Sequence, residues 1–294
     1  MERILITGAS GFLGSALVDR LSANNAVYLG VTHEMCDITD KQRFFRLCQD
    51  FNPTVLYHLA GHTGMAQSVE DPEGFFRANV DTTISVLEAC RKLRNIRLVY
   101  ASSFAVYGSC GKPALETDQL QAPENPYAAS KQTAEIYVEM YSRMYGFPAV
   151  SLRIFSSFGP RQKKYTAIYT FIDAIYRGTP LVLFDNGTAK RDYMYVENAV
   201  DGMLLAMQHN KGHDVFNLGQ NLNLSLSEIV QIMEKLIGKK ANVTYQRSPP
   251  GVMGTMSADI SKIRNYWGFM PSVNFEQGLK QTFTWYNNEI HGGE

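Results

Sequence analysis

The chain has 294 residues, 45% hydrophobic and 19% charged, an ordinary globular composition with room for one large α/β unit and an appended lobe. Lys plus Arg equals Asp plus Glu, so the formal net charge is zero; nucleic acid and anionic membrane are not indicated as partners, although a local basic pocket for a phosphate is allowed. No apolar run approaches the roughly 18 residues of a membrane span, and no signal peptide fits Met1–Gly8. Cys36, Cys48, Cys90 and Cys110 show no metal-ligand spacing, so we expect reduced thiols, no metal, and a reducing, cytoplasmic setting.

In chain order, Arg3–Thr7 predicts a short buried strand, Gly8–Gly14 a turn and Ser15–Ala23 a helix. Ala26–Val31 follows as a strand, and Lys41–Phe51 as a helix capped by Thr39 or Asp40. Thr54–Leu59 is a third strand, Glu73–Arg94 a long helix and Arg97–Ser102 a fourth strand. Tyr127–Tyr145 is a helix and Ala149–Ile154 a fifth strand. Apolar strands alternating with helices predict an α/β fold with a doubly wound parallel sheet. After about Gly159 the pattern loosens. Helices are expected at Thr166–Arg177, Glu197–Gln208, Ser227–Ile237, Asp259–Tyr266 and Phe275–Glu289, with strands at Leu181–Phe184 and Val215–Leu218. Residues 1–160 then form the first domain and 161–294 mainly a smaller C-terminal lobe, with a soft boundary because some elements return to the sheet.

The first turn reads Thr7-Gly8-Ala9-Ser10-Gly11-Phe12-Leu13-Gly14. Gly8 allows the tight turn, Gly11 lets backbone approach a pyrophosphate at a helix N-terminus, and Gly14 allows close helix–sheet packing. The spacing is G-x-x-G-x-x-G rather than G-x-G-x-x-G, so its place in a β–turn–α unit carries the dinucleotide reading. The second strand ends Gly30-Val31-Thr32-His33-Glu34, with neither Asp nor Arg at its tip. Thr32 and His33 suit a 2′-phosphate and Glu34 suits a 2′-hydroxyl, which leaves NAD or NADP open with a slight lean to NADP. Asp37 is placed to meet an adenine amino group, or else to cap the following helix, and Ile38 follows it.

Tyr127 and Lys131 stand four residues apart, about one helical turn, so phenol and ammonium project from one helix face. A lysine beside a tyrosine lowers the cost of the phenolate and lets the phenol exchange a proton near neutral pH. Beside a bound nicotinamide, the pair suits a hydroxyl losing its proton while its carbon is oxidised.

These segments, with Cys36–Asp40, His58–Gly61, Asn79, Ser102–Gly108, Arg153–Ser156, Gly159–Gln162 and Lys190–Tyr193, resemble the extended short-chain dehydrogenases of the nucleotide-sugar epimerase/dehydratase/reductase group over nearly the whole chain. The resemblance implies a Rossmann first domain and a nucleotide-sugar-binding lobe. It implies Tyr127 as general acid/base, Lys131 on the nicotinamide ribose, and Ser103 on the reacting sugar oxygen. Leu59, Ala60, Gly61, Ser102 and Phe155 would line the cofactor, and Asn79 would brace the sheet. Phe104, Ser156, Arg191 and Arg247 would face the nucleotide sugar, with the arginines on phosphate, where a forked guanidinium suits two oxygens. Arg191 in an ion pair and Arg247 as a solvated loop charge are the plainer readings. Two positions depart from the family pattern: Val252 follows Gly251 where Asp is common, and Ser156 stands where Asn is common.

Dehydratases of this group carry Asp-Glu directly after the Ser103 position; this chain has Phe104-Ala105, which cannot transfer protons. Ala105 also lacks the Glu of decarboxylating relatives and the Cys of those that epimerise next to a keto group. A C4 epimerase with a transient keto-sugar is the reading these exclusions leave first. An NADPH-dependent 4-keto-6-deoxysugar reductase is the alternative, suggested by the short connection from the second strand to Asp37. A non-catalytic NAD(P)-binding protein is the third. Relatives dimerise through a four-helix bundle, which implies a homodimer paired through the Tyr127 and Glu73–Arg94 helices.

Overall fold

The computed structural model describes residues 2–109, 111–249 and 254–291. Its elements begin with β1 (Arg3–Thr7), α1 (Phe12–Ala23), β2 (Val27–Val31), α2 (Lys41–Phe51) and β3 (Val55–His58). Then come α3 (Met65–Glu70), α4 (Pro72–Phe76), a π-helical turn (Arg77–Asp81), α5 (Thr82–Leu93), β4 (Arg97–Ser103) and a 3-10 turn (Phe104–Tyr107). Next are α6 (Pro126–Tyr145), β5 (Ala149–Ile154), β6 (Ser156–Phe158), α7 (Ala167–Arg177), β7 (Pro180–Phe184), β8 (Lys190–Arg191) and β9 (Tyr193–Tyr195). The chain closes with α8 (Val196–Ala206), β10 (His213–Leu218), β11 (Leu224–Ser225), α9 (Leu226–Ile237), β12 (Asn242–Gln246), α10 (Ser261–Trp267) and α11 (Phe275–His291).

Six strands form one parallel sheet in the order β10-β5-β4-β3-β1-β2. Its strands are apolar on both faces because helices cover both. Ile4, Ile6, Tyr57, Val99 and Leu152 face Leu17 of α1 and Met203 of α8. Leu5, Leu56, Leu98 and Tyr100 face Phe44 of α2, Val86 of α5 and Val138 of α6. A further core joins Phe158, Ile172, Leu183, Ile229 and Leu279 in the second half of the chain. β10 comes from that half yet pairs with β5, Val215 opposite Ser151. Strand order reverses between β1 and β3, and the crevice at the carboxyl ends of such strands is where open α/β sheets bind ligands. The Gly8–Gly11 turn and the Leu59–Gly64 segment both leave the sheet there.

Local chemistry explains the helix ends. Asp40 caps α2 by accepting from Arg43 N–H at 3.0 Å, and Asn125 caps α6 by accepting from Ala128 N–H at 2.9 Å, with Pro126 in its first turn. The expected Glu73–Arg94 helix is present as one helical run from Pro72 to Leu93, but it changes type within its length. Asp71 and Pro72 start it, and a π-turn at Arg77–Asp81 lies within it around Asn79. Helix α1 starts at Phe12, three residues before its expected start at Ser15. The strands β6, β8, β9, β11 and β12 and the helix α3 are additional to the expected elements; β6, β8, β9 and β11 are only two or three residues long and show no periodicity to read.

Candidate active site

Ser103 ends β4, and its Oγ accepts from Ala105 N–H at 3.2 Å, turning the chain into the 3-10 turn. Tyr127 stands in the first turn of α6 and Lys131 one turn later; all three side chains are buried. The Tyr127 ring meets Phe75 edge-on at 6.2 Å, and Phe75 meets the His62 ring edge-on at 5.4 Å. Lys131 Nζ donates to the Ala101 carbonyl at 2.9 Å and lies 5.2 Å from the centre of the Tyr100 ring.

Burial pushes the Tyr127 phenol up; a hydrogen bond with Ser103 offsets part of that, and Tyr165 adds to the rise. Burial brings Lys131 down to about 8. This corrects the expectation that Lys131 depresses the tyrosine. The phenol is displaced upward because desolvation outweighs its partners, and the ammonium is engaged with a backbone carbonyl. The hydrogen bond from Ser103 is what eases ionisation.

Behind these residues lies a buried ionic cluster. Ser102 Oγ donates to Glu135 Oε2 at 2.6 Å, Arg153 Nη2 donates to Glu135 Oε1 at 2.5 Å, and the Arg153 guanidinium covers the Tyr107 ring at 4.7 Å. The Ser102 side chain is therefore committed to Glu135, on the face opposite Ser103. Asn79 accepts from His62 N–H at 2.8 Å and donates to Ser130 Oγ at 2.8 Å, so it ties the segment after β3 to α6 rather than bracing the sheet.

The dinucleotide turn keeps its glycines for space. A Cβ on Gly8, at φ +71°, would stand 2.7 Å from Ala60 N, and one on Gly14 would collide with the Gly8 carbonyl. Gly11 is the N-cap of α1 and makes no side-chain cap, and the first turn holds no acidic residue. Its free amides and lack of negative charge fit a pyrophosphate. Ser10 is exposed, and Phe12 and Leu13 are half-buried. Ala60 N–H donates to Thr7 Oγ1 at 3.3 Å, which fixes Leu59–Gly61 beside the turn. At the tip of β2, Thr32 Oγ1 accepts from Met35 N–H at 3.3 Å and His33 is exposed. Asp37 accepts from Thr39 N–H and Oγ1 at 2.9 and 2.7 Å, so Asp40, not Asp37, caps α2; Ile38 is buried.

Among the residues expected to face the sugar, Phe104 stacks on Phe155 at 5.5 Å, and half-buried Ser156 lies opposite Tyr193 in the β6–β9 pair. Arg191 is buried, donates to the Lys190 carbonyl at 3.0 Å and also to the Gly254 carbonyl. Gly254 N–H in turn donates to Ser109 Oγ at 2.8 Å, which joins Arg191 to the loop after Tyr107. Asp192 gathers the amides of Gln220, Asn221, Leu222 and Ala258, and burial still raises it to about 6. Arg247 is exposed beside Asp185, in the loop after β12. Gly251, Val252 and Cys110 lie outside the described residues.

The model of the NAD dependent epimerase/dehydratase family matches residues 4–219. The chain belongs to this family.

Among family members, a UDP-glucuronate 4-epimerase of Thermodesulfobacterium geofontis is 28% identical over 316 residues, covering 99% of this chain and 98% of that protein. A dTDP-glucose 4,6-dehydratase of Haemophilus influenzae is also 28% identical, over 97% of this chain and 98% of its own. The structure of the Bacillus cereus UDP-glucuronic acid 4-epimerase with UDP-glucuronic acid and NAD matches with a TM-score of 0.91 at 29% identity, covering 98% of this chain and 99% of that one. The epimerase and the dehydratase named here are equally identical to this chain, so the reaction must be read from the site. Family motifs point to Ser103, Tyr127 and Lys131, but not to Glu135, Phe75 or Tyr165. The one sequence signal for Glu135 is its spacing of four residues from Lys131 on α6.

Proposed function

We propose that this chain is a nucleotide-sugar 4-epimerase that uses NAD and acts on a UDP-linked hexose or hexuronate. The observation that carries the reading is the pairing of Ser103, Tyr127 and Lys131 with an apolar wall immediately after the serine. Phe104 and Ala105 are both buried and neither transfers a proton, so the two positions after Ser103 supply no second acid for elimination. Tyr127 takes the C4 hydroxyl proton and later returns it. Ser103 holds the same sugar oxygen and steadies the phenolate. Lys131, protonated at neutral pH, supplies the positive charge beneath the ribose. The bound dinucleotide supplies the reversible oxidant for C4. The glycine turn holds its pyrophosphate; Thr32, His33, Asp37 and Ile38 border its adenosine; Leu59–Gly61, the Ser102 backbone and Phe155 line its nicotinamide end. Arg191 is assigned to the substrate diphosphate, and Ser156 and Phe104 to the sugar. Arg247 is a second, outlying phosphate contact.

The lean toward NADP has no support from the relatives named above, whose solved member carries NAD. A second reading, the NADPH-dependent 4-keto reductase, rests on one observation: the β2 tip offers Thr32 and exposed His33 and no Asp, with Glu34 one residue further on. Purified protein incubated with NAD and UDP-glucose, UDP-galactose or UDP-glucuronate distinguishes them. The epimerase yields the C4 epimer without net cofactor consumption. Turnover only of 4-keto sugars, with stoichiometric NADPH loss, would establish the reductase instead.

We also assign a homodimer interface to α6 and its neighbour. Ile136 and Met144 are exposed at 64% and 62%, and Tyr137, Tyr145 and Phe76 add apolar surface. No helix among the described residues is long and apolar enough to cross a membrane.

A further inference from the structure

The segment between β3 and α3 is held from both sides of the cleft. On the sheet side, Asn79 accepts from His62 N–H at 2.8 Å and donates back to the His62 carbonyl at 3.2 Å. On the lobe side, the Tyr165 hydroxyl donates to the Thr63 carbonyl at 3.1 Å and lies 3.2 Å from Thr63 Oγ1. Thr63 and Tyr165 are 102 residues apart in the chain, one on the sheet side and one on the loop leading into α7. Gly61 and Gly64 bracket the anchored pair at φ +155° and +118°, conformations that side chains rarely adopt.

The same segment supports the reacting ring. The His62 ring packs on Phe75, and Phe75 packs edge-on against Tyr127. Tyr165 is also near enough to Tyr127 to add to the upward shift of that phenol. Yet the Tyr165–Thr63 contact is superficial: Tyr165 is 45% exposed and Thr63 is exposed. A hydrogen bond with water at hand is weak in net terms, which suits a contact that opens and closes.

We propose that Tyr165 and Thr63 form a clasp across the mouth of the cleft, opening to admit the nucleotide sugar and closing to fix the segment behind Tyr127. Tyr165 is then a positioning residue. The substrate in this statement rests on the epimerase reading; the clasp itself does not.

Tyr165→Phe removes the hydroxyl and keeps the ring. Amide hydrogen exchange of the full-length protein, with no sugar added, reads the clasp directly. Exchange in the peptide covering His62–Gly64 should quicken by up to about fivefold, the factor equivalent to one net hydrogen bond, while the melting temperature falls by no more than about 2–4 °C. Unchanged protection of that peptide would overturn the proposal. With NAD and the UDP-sugar that the wild-type protein turns over, Tyr165→Phe should lower kcat about fivefold at unchanged cofactor content. A wild-type kcat in the variant would equally overturn the positioning role. If the wild-type protein turns over no sugar, the epimerase reading fails, and the exchange measurement alone decides the clasp.

Discussion

The Asn79 side-chain amide donates to Ser130 Oγ at 2.8 Å, and that hydroxyl donates to the Tyr127 carbonyl, also at 2.8 Å. The π-turn around Asn79 is what presents this side chain to both α6 and the segment after β3. One residue thereby sets α6 against the segment after β3. Asn79→Ala strands the buried Ser130 hydroxyl and the part-buried backbone groups of His62, so it should lower unfolding stability by about 1–3 kcal/mol. A urea midpoint equal to wild type would contradict this role.

Glu135 and Arg153 make a second test of architecture. Both side chains are almost fully buried, at 8% and 6% exposure. Removing only the carboxylate in Glu135→Ala leaves the guanidinium without its counter-charge and should cost about 3–5 kcal/mol. Replacing both, as Glu135→Leu with Arg153→Met, should recover most of that loss. Urea unfolding of the two variants checks it; a double variant no better than the single would show that the pair does not act as a unit.

His58 sets a pH dependence. It is buried between Thr7 Oγ1 at 2.8 Å and Thr83 Oγ1 at 3.0 Å, and burial lowers it from 6.5 to about 3, with Lys131 adding a little. Between those values the unfolded chain binds a proton that the native protein refuses. Stability therefore falls as pH drops from about 6.5 toward 3, by on the order of 5 kcal/mol in all. Thermal melts across this range should show a shallower fall for His58→Gln than for the parent protein. Parallel curves would assign the acid loss to other groups.

The exposed face of α6 predicts the assembly. Sedimentation at micromolar concentration should give a mass of two chains, and Ile136→Glu combined with Met144→Glu should give one, with the fold retained. A monomer before substitution would remove the assigned interface.

What was legible in the sequence is what is local. The β1–turn–α1 unit and the Tyr127–Lys131 pair are each written within a few consecutive residues, and both stand where their spacing places them. The contacts that were not legible join distant segments: Ser102 with Glu135, Asn79 with Ser130, Thr63 with Tyr165. Helical period continues across Arg77–Asp81, so the π-turn leaves no mark in hydrophobic spacing. The direction of the Tyr127 shift was missed for the same reason. A four-residue spacing shows proximity, but not how deep a group lies or which carbonyl takes the ammonium.

Tyr127→Phe keeps the ring and removes the transferable proton. With NAD retained, kcat should fall on the order of 10²–10⁴-fold, the usual size of a general acid/base contribution. A variant at wild-type turnover would remove Tyr127 from the chemistry.

The central claim is that C4 of one UDP-sugar is oxidised and then reduced on its other face, with its own hydrogen returned. The most direct measurement is NMR of the product formed from UDP-glucuronate or UDP-glucose in D₂O with NAD. The account predicts the C4 epimer with its C4 proton fully retained and no net change in cofactor. No epimer from any UDP-sugar, or product made only at the expense of NADPH, would contradict it.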